Sequence, residues 1–496
     1  MLLGVQTLAH PMRTLRAITL ITATLCLAAL ALVPAAASAN SRQLAIFQDD
    51  RQLVLNGPDV RDRTLNEIRG LGADVVKVEV PWSAVAPKGK RKPKGFDPLN
   101  PGSYRWGVYD AVVSSIQAKG LQPMLALSAP APGWATRKKG DRVGVDRPKG
   151  KEFRRFAEAA GKHFPSVHLW TLWNEPNHPR FLFPQATRKR VPFAPRLYRA
   201  LAQGGADGLR ASGHGADRIL FGELLPIGKR RLFRRNTMKP ILFLREMFCL
   251  NSHWRRYRGH AAKVHGCRHY HALKGLNGFA YHPYTRPNGP QGREPTRLDA
   301  TIRSIGRITR ALDRARRRGR IRGGKLSVWN TEFGFQSRPP DPFQTRISRI
   351  PGFLNESEWI SYRKRRVASY SQFTLVDTPV SRRGDIFGTW QGGLKFASGR
   401  VKTKVYAAYR LPIFVRLLGP RAVEVWGCAR PRGGGSGVQI QSRLRHHGFT
   451  NLGGVFTVTN PEGYFKRRFR LSKASRRTFR FSSGSFTSRV ARPALR

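Results

Sequence analysis

Carboxylates are scarce in this chain: 29 Asp and Glu stand against 90 Lys and Arg, leaving a formal charge of +61 over 496 residues. A surface so short of negative charge attracts polyanions. The basic residues are spread along the whole sequence, as in Arg316-Arg317-Arg318 and Lys229-Arg230-Arg231, and no zinc-finger or RNP-type motif accompanies them, so no specific nucleic-acid partner is expected. Long apolar runs are equally rare. The one such run, residues 18–33, follows Arg13 and Arg16 and precedes Ala37-Ser38-Ala39, which is the pattern of a secretory signal over residues 1–39. A retained anchor is the alternative, although the run is short for a span. The expectation is a secreted protein with no membrane contact after cleavage.

Cysteine is also sparse. Cys26 falls in the leader, which leaves Cys249, Cys267 and Cys428, enough for one disulfide and one free thiol. Cys249 with Cys267 is the favoured pair. A metal set of Cys267 with His265, His269 and His271 is the alternative, but its spacing matches no specific zinc pattern. Neither a metal nor an organic cofactor is expected.

What the chain does have is alternation. Short apolar runs at residues 44–48, 75–80, 123–128, 168–173, 219–225, 278–282, 326–331 and 373–377 are separated by amphipathic stretches at 64–70, 108–119, 153–163, 195–211, 298–318 and 359–371, with a last helix at about 404–418. Eight such strands, most followed by a helix, predict an α/β fold of the (β/α)8 TIM-barrel type over residues 40–420. Beyond residue 421 the texture changes to short alternating runs broken by glycine and asparagine. That predicts a small C-terminal all-β, sandwich-like domain over residues 421–496. Its Trp426, Tyr464 and Phe486 are too scattered to favour carbohydrate binding over packing.

Two of the expected strands end in glutamate. Residues 168–173 run into Asn174 and Glu175, and residues 326–331 run into Glu332. Cleaving a glycosidic bond with retention needs one carboxyl to protonate the departing oxygen and a second, about 5 Å away, to attack the anomeric carbon. An aromatic setting such as Trp173 and a nearby negative charge favour the protonated form of the acid.

Trp173-Asn174-Glu175-Pro176 resembles the acid/base signature of the clan A glycoside hydrolases, the group that includes the cellulase-like family 5 and the xylosidase-like family 39. The resemblance covers nearly the whole barrel region. It implies Glu175 at the end of the fourth strand as acid/base, Glu332 at the end of the seventh as nucleophile, and Asn174 on the sugar 2-hydroxyl. It further implies that Tyr284 of His282-Pro283-Tyr284 supports the nucleophile and that Trp390 floors the sugar site. A preference for β-linked sugars is also implied. Lys77 departs from that pattern, standing where an arginine is usual; it keeps the charge and loses the two-pronged geometry. The expected substrate-contacting set is therefore Asn174, His282, Tyr284, Trp390, Trp82 and Lys77, with Trp134 a further candidate for lining the cleft.

Glu223 and the pair Asp49-Asp50 read as buried hydrogen-bonding groups, and Glu79 as a local ion-pair partner of Lys77. The expected partner is a carbohydrate, with acidic or cell-wall glycans suggested by the basic loops at 181–192 and 227–239. A glycan-binding protein without turnover is the alternative from another class, and Lys77 keeps it open.

Overall fold

The computed structural model describes residues 40–137, 143–380, 389–431 and 435–495. The expected leader, with Cys26, and Gly433 and Gly434 of the glycine run at 433–437 lie outside them. Eight parallel strands close into a barrel: β1 (Leu44–Gln48), β2 (Val75–Pro81), β3 (Gln122–Ser128), β4 (Leu169–Leu172), β5 (Arg218–Leu224), β6 (Gly278–Tyr281), β7 (Ser327–Asn330) and β8 (Val367–Phe373). Each pairs with its sequence neighbours, and β8 pairs back onto β1. These strands read as near-continuous apolar runs because both faces are covered, one by helices and one by the barrel interior.

The interior is filled from the bottom. Ile46, Val75, Met124, Leu169, Leu220, Ala280 and Trp329, one from each of seven strands, form a single packed plug. Side chains alternate along a strand, so residues two positions further on rise one level on the same face. Val75, Lys77 and Glu79 are therefore stacked on the inner face of β2. Gln48 follows Ile46 on β1 in the same way, and Asp50 comes just past the end of that strand in helical backbone.

The helices that cover the barrel are α1 (Pro58–Gly70), α2 (Gly107–Ala118), α3 (Gly150–His163), α4 (Ala194–Ala211), α5 (Pro240–Met247), α6 (Gly306–Arg317), α7 (Ile350–Tyr362) and α8 (Thr403–Arg410). In α6 the buried residues Ile308, Ala311, Leu312 and Ala315 fall at helical spacing while the arginines face out. Three expected elements differ from those observed. The helix expected at 359–371 is α7, ending at Tyr362, and the eighth strand is Val367–Phe373 instead of residues 373–377. The helix expected to run to residue 418 stops at Arg410, and an antiparallel strand begins at Ile413. Ile413, Val415 and Val423 are buried in an apolar cluster that no helical register of this segment would serve.

That strand, β9 (Ile413–Gly419), pairs with β10 (Ala422–Cys428), which pairs with β12 (Tyr464–Arg470). A second sheet is built on β11 (Gly437–Arg443) and β13 (Thr478–Ser483). Their inward residues, including Val425, Ile440, Phe465 and Phe481, share one core. Cys249 and Cys267 form a disulfide with Cα atoms 5.7 Å apart, and Cys428 is a buried thiol whose Sγ donates to the Glu462 carbonyl oxygen. The metal set that would have used Cys267 thus lacks its thiolate; His265 Nδ1 faces Glu246 instead, at 2.7 Å. Among the described residues no helix is long and apolar enough to cross a membrane.

Candidate active site

The strands deliver their C-terminal ends to one mouth, a cavity of about 590 Å³ lined by residues that include Gln48, Asp50, Glu79, Asn174, Glu175, Tyr284, Glu332 and Trp390. This is the face on which barrels of this kind carry their chemistry. Trp173 and Glu175 both adopt left-handed backbone, with φ of 69° and 37°. Such conformations cost of order 1–3 kcal/mol each for a non-glycine residue and collect at functional sites. Here they turn the chain sharply at the end of β4 and leave Glu175 at the mouth.

Beneath the mouth lies a dry charge network. Lys77 is fully buried, and its Nζ donates to Glu223 Oε2 at 2.7 Å and to Glu332 Oε1 at 3.3 Å. Burial alone would strip its proton, but the charges of Glu223 and Glu332 outweigh it and hold Lys77 well above its usual range. His282, also fully buried, sets Nδ1 3.0 Å from Glu175 Oε1 and 3.4 Å from Glu332 Oε2, while Nε2 bonds Glu223. Desolvation opposes its positive charge, yet Glu332 and Glu223 raise it to about 10. Glu223 is pulled the other way: despite burial, Lys77 and His282 bring it down to about 2. Glu332 also accepts a bond from the Tyr284 hydroxyl at 3.1 Å.

Glu175 is different. Desolvation raises it above the ordinary glutamate value, and the His282 contact only partly offsets that rise. An oxygen of Glu175 and an oxygen of Glu332 lie within 4.8 Å of each other. With His282 these two carboxylates also form the one donor group, among the described residues, close enough to hold a metal ion. His282 meets carboxylate oxygens through both nitrogens and is held as an imidazolium, so it has no lone pair to offer a cation.

The expected site residues divide into two groups. Glu175, Glu332, Asn174, Tyr284 and Trp390 are brought together at the mouth. Asn174 is buried there with Oδ1 unpartnered, and Trp390 packs edge-on to Tyr284 with its Nε1 held by the Phe373 carbonyl. Lys77 and His282 do not line the cavity; they lie one level down and position the carboxylates. Trp82 does not reach it either. Its ring is fully buried, stacked on Phe156 at 5.3 Å and edge-on to Trp134 at 5.7 Å, because the first turn after β2 folds it back under α3. Trp134 is buried in the same cluster.

Glu223 and Asp49 are buried and hydrogen-bonded as expected; Asp49 accepts from the backbone amides of Leu375 and Val376. Asp50 and Glu79 are corrections. Both line the mouth, and Lys77 turns to Glu223 and Glu332 rather than to Glu79. Inner-face parity from Val75 placed Glu79 there, but the plug that fixes which face is inner is a tertiary fact. Arg188, Arg234 and Arg235 of the two basic loops line a neighbouring groove instead, and among the described residues Arg180, just ahead of the first loop, is the one lysine or arginine lining the mouth.

Fold and site together define a (β/α)8 barrel with two unlike carboxyl groups facing across its mouth. No family model and no curated protein matches the chain. Among solved structures it is similar to a glucosidase from Croceicoccus marinus (11% identity, 91% of this chain and 98% of that one, TM-score 0.49). It is also similar to a GH5_18 protein from Bifidobacterium longum (13%, 74% and 78%, 0.46) and to xylanase 10B from Thermotoga maritima (11%, 75% and 94%, 0.44). The chemistry below rests on this chain's own side chains.

Proposed function

We propose that this chain is a retaining glycoside hydrolase in which Glu175 is the acid/base and Glu332 the nucleophile. The observation that carries the reading is the close approach of their oxygens, within 4.8 Å. Retaining enzymes hold their carboxyls about 5–5.5 Å apart, whereas inverting enzymes leave 6.5–9.5 Å for a water. The electrostatics favour the same division of roles. Burial shifts Glu175 toward its protonated form, as an acid requires, while Lys77 and Tyr284 hold the oxygens of Glu332 in place for attack.

In the first step Glu332 attacks the anomeric carbon as the glycosidic bond breaks, and Glu175 gives its proton to the departing oxygen. In the second, Glu175 takes a proton from water, the water oxygen attacks the same carbon, and the bond to Glu332 breaks. The unpartnered Oδ1 of Asn174 is free to accept a sugar hydroxyl, and the Trp390 ring offers a face to the C–H side of a pyranose. Selectivity for β-linked sugars and export through the leader at 1–39 belong to the same proposal. The contact from Lys77 to Glu332 supports a working nucleophile, which weakens the reading of a glycan-binding protein without turnover.

The test is release of the aryl group from a panel of aryl β-glycosides by residues 40–496, beside Glu175→Ala and Glu332→Ala. Turnover that is lost in Glu332→Ala and falls by about 10²–10⁴ in Glu175→Ala on substrates with poor leaving groups supports the assignment. Turnover unchanged in either variant overturns it.

A further inference from the structure

The mouth has a charge opposite to that of the molecule. On a chain with a formal charge of +61, the cavity is lined among the described residues by Asp50, Glu79, Glu175 and Glu332, against Arg180 as the one lysine or arginine. The proposed chemistry uses Glu175 and Glu332. Asp50 and Glu79 are left over; Asp50 stands just past Gln48, the last residue of β1, and Glu79 is on the adjacent β2.

Their hydrogen bonds are one-sided. Gln48 Nε2 donates to Asp50 Oδ2 at 2.7 Å, and Asp50 Oδ1 accepts from the backbone amide of Glu79 at 2.7 Å. After these bonds Gln48 Oε1, on a side chain only 1% exposed, has no donor, and the Glu79 carboxylate makes no hydrogen bond among the described residues. Burial pushes Asp50 up, and burial together with Asp50 pushes Glu79 well up. Lys77 is the cation whose charge acts on both, but its Nζ is committed to Glu223 and Glu332. The wall is thus a set of converging acceptors short of both donors and positive charge, and a buried acceptor left unmet costs about 1–3 kcal/mol.

We infer that Gln48, Asp50 and Glu79 form a subsite for a protonated primary amine on the sugar, so that the substrate class is glycosides of unacetylated amino sugars. An ammonium group brings three donors for three acceptors and one positive charge for two neighbouring carboxyls. A hydroxyl brings one donor and no charge. An N-acetyl group is neutral and bulkier, and a uronate carboxylate would meet like charge, so the subsite runs against the acidic-sugar preference suggested by the basic loops.

This inference rests on the glycosidase reading only for what is cut, and binding tests it separately. Titration calorimetry on the Glu332→Gln protein compares a β-linked glucosamine trisaccharide, its N-acetylated form, cellotriose and a uronic trisaccharide, on the acid side of neutrality where the amine is charged. The molecule's net charge repels an oligocation, so a preference for the amine has to arise locally. The expected result is at least about tenfold tighter binding of the amino trisaccharide than of cellotriose, with the margin lost when Glu79→Gln is added to a protein whose near-ultraviolet circular dichroism is unchanged. Equal binding of the two, tighter binding of the uronic trisaccharide, or a margin that survives both Glu79→Gln and Asp50→Asn overturns the inference. An amine preference in a parent protein that cuts none of these sugars keeps the subsite and removes the hydrolase; turnover of neutral glycosides without an amine preference does the reverse.

Discussion

Lys77, Glu223 and His282 show how single residues set the chemistry of a barrel mouth without touching its contents. Each is fully buried: Glu223 and Glu332 keep the charges on Lys77 and His282, and those two cations keep the charge on Glu223. Glu223 has a folded value near 2 against an ordinary 4.5, so its contribution to stability is complete above about pH 4.5 and is lost as pH falls through about 2. His282 has a folded value near 10 against 6.5, so its contribution is complete below about pH 6.5 and is lost as pH rises through about 10. The melting temperature, followed by scanning calorimetry across pH, is therefore expected to be highest between these limits, and Glu223→Gln is expected to flatten the acid limb. Glu175 works in the opposite sense, since its raised value makes the buried anion costly as pH rises past the ordinary glutamate range. The same shift predicts a pH–rate profile whose alkaline limb lies above pH 4.5 and disappears in Glu175→Gln. An alkaline limb retained in that variant would assign the acid elsewhere.

Among the elements, β5 carries a feature that strand periodicity hides. Leu220 belongs to the plug, so by alternation Glu223 should face the helices. The register against β6 shifts between Gly222 and Leu224, and Glu223 takes a left-handed φ of 50°, which turns its side chain inward to Lys77. A bulge of this kind re-aims a side chain at a site rim. Gly222 makes it possible: its φ is +123°, and a Cβ there would lie 2.4 Å from the Ala280 carbonyl oxygen. Gly222→Ala is expected to lower stability by at least about 1–3 kcal/mol in denaturant unfolding and to reduce turnover by displacing Glu223. Unchanged unfolding would show that the bulge is not constrained by Gly222.

On the scale of the whole molecule, the C-terminal sheets are joined to the barrel through α7. Residues Leu354 to Tyr362 of that helix are buried all round, including Asn355, Glu356, Ser357 and Glu358. Glu358 meets the buried Arg430 guanidinium and the Tyr464 hydroxyl, and Asn355 accepts from the Ile413 amide and from Arg489. Polar residues of this kind are buried only when paired. Arg430→Met would strand Glu358 without its cation, and a cost of about 3–5 kcal/mol is expected in equilibrium unfolding, with Glu358→Gln in the same protein recovering part of it. No recovery would mean that the loss comes from packing and not from the charge.

The sequence by itself determined seven of the eight parallel strands, because apolar runs spaced by amphipathic ones leave few other ways to cover both faces of each strand; the eighth lies largely in a stretch read as helix. It also determined that Glu175 and Glu332 stand at strand ends and that Cys249 and Cys267 are the pair to expect. Periodicity failed where burial did not follow one face: α7, wrapped on all sides, hid its polar half, and β9 looked like a continuation of α8. Only the tertiary structure decided which face of each strand is inside. From that came the buried roles of Trp82, Lys77 and His282, the inward turn of Glu223, and the placing of Asp50 and Glu79 at the mouth. The reason is physical: the direction of a side chain along a strand is local, whereas inside and outside are fixed by barrel closure, which joins β1 to β8 across 325 residues from Ile46 to its partner Ser371.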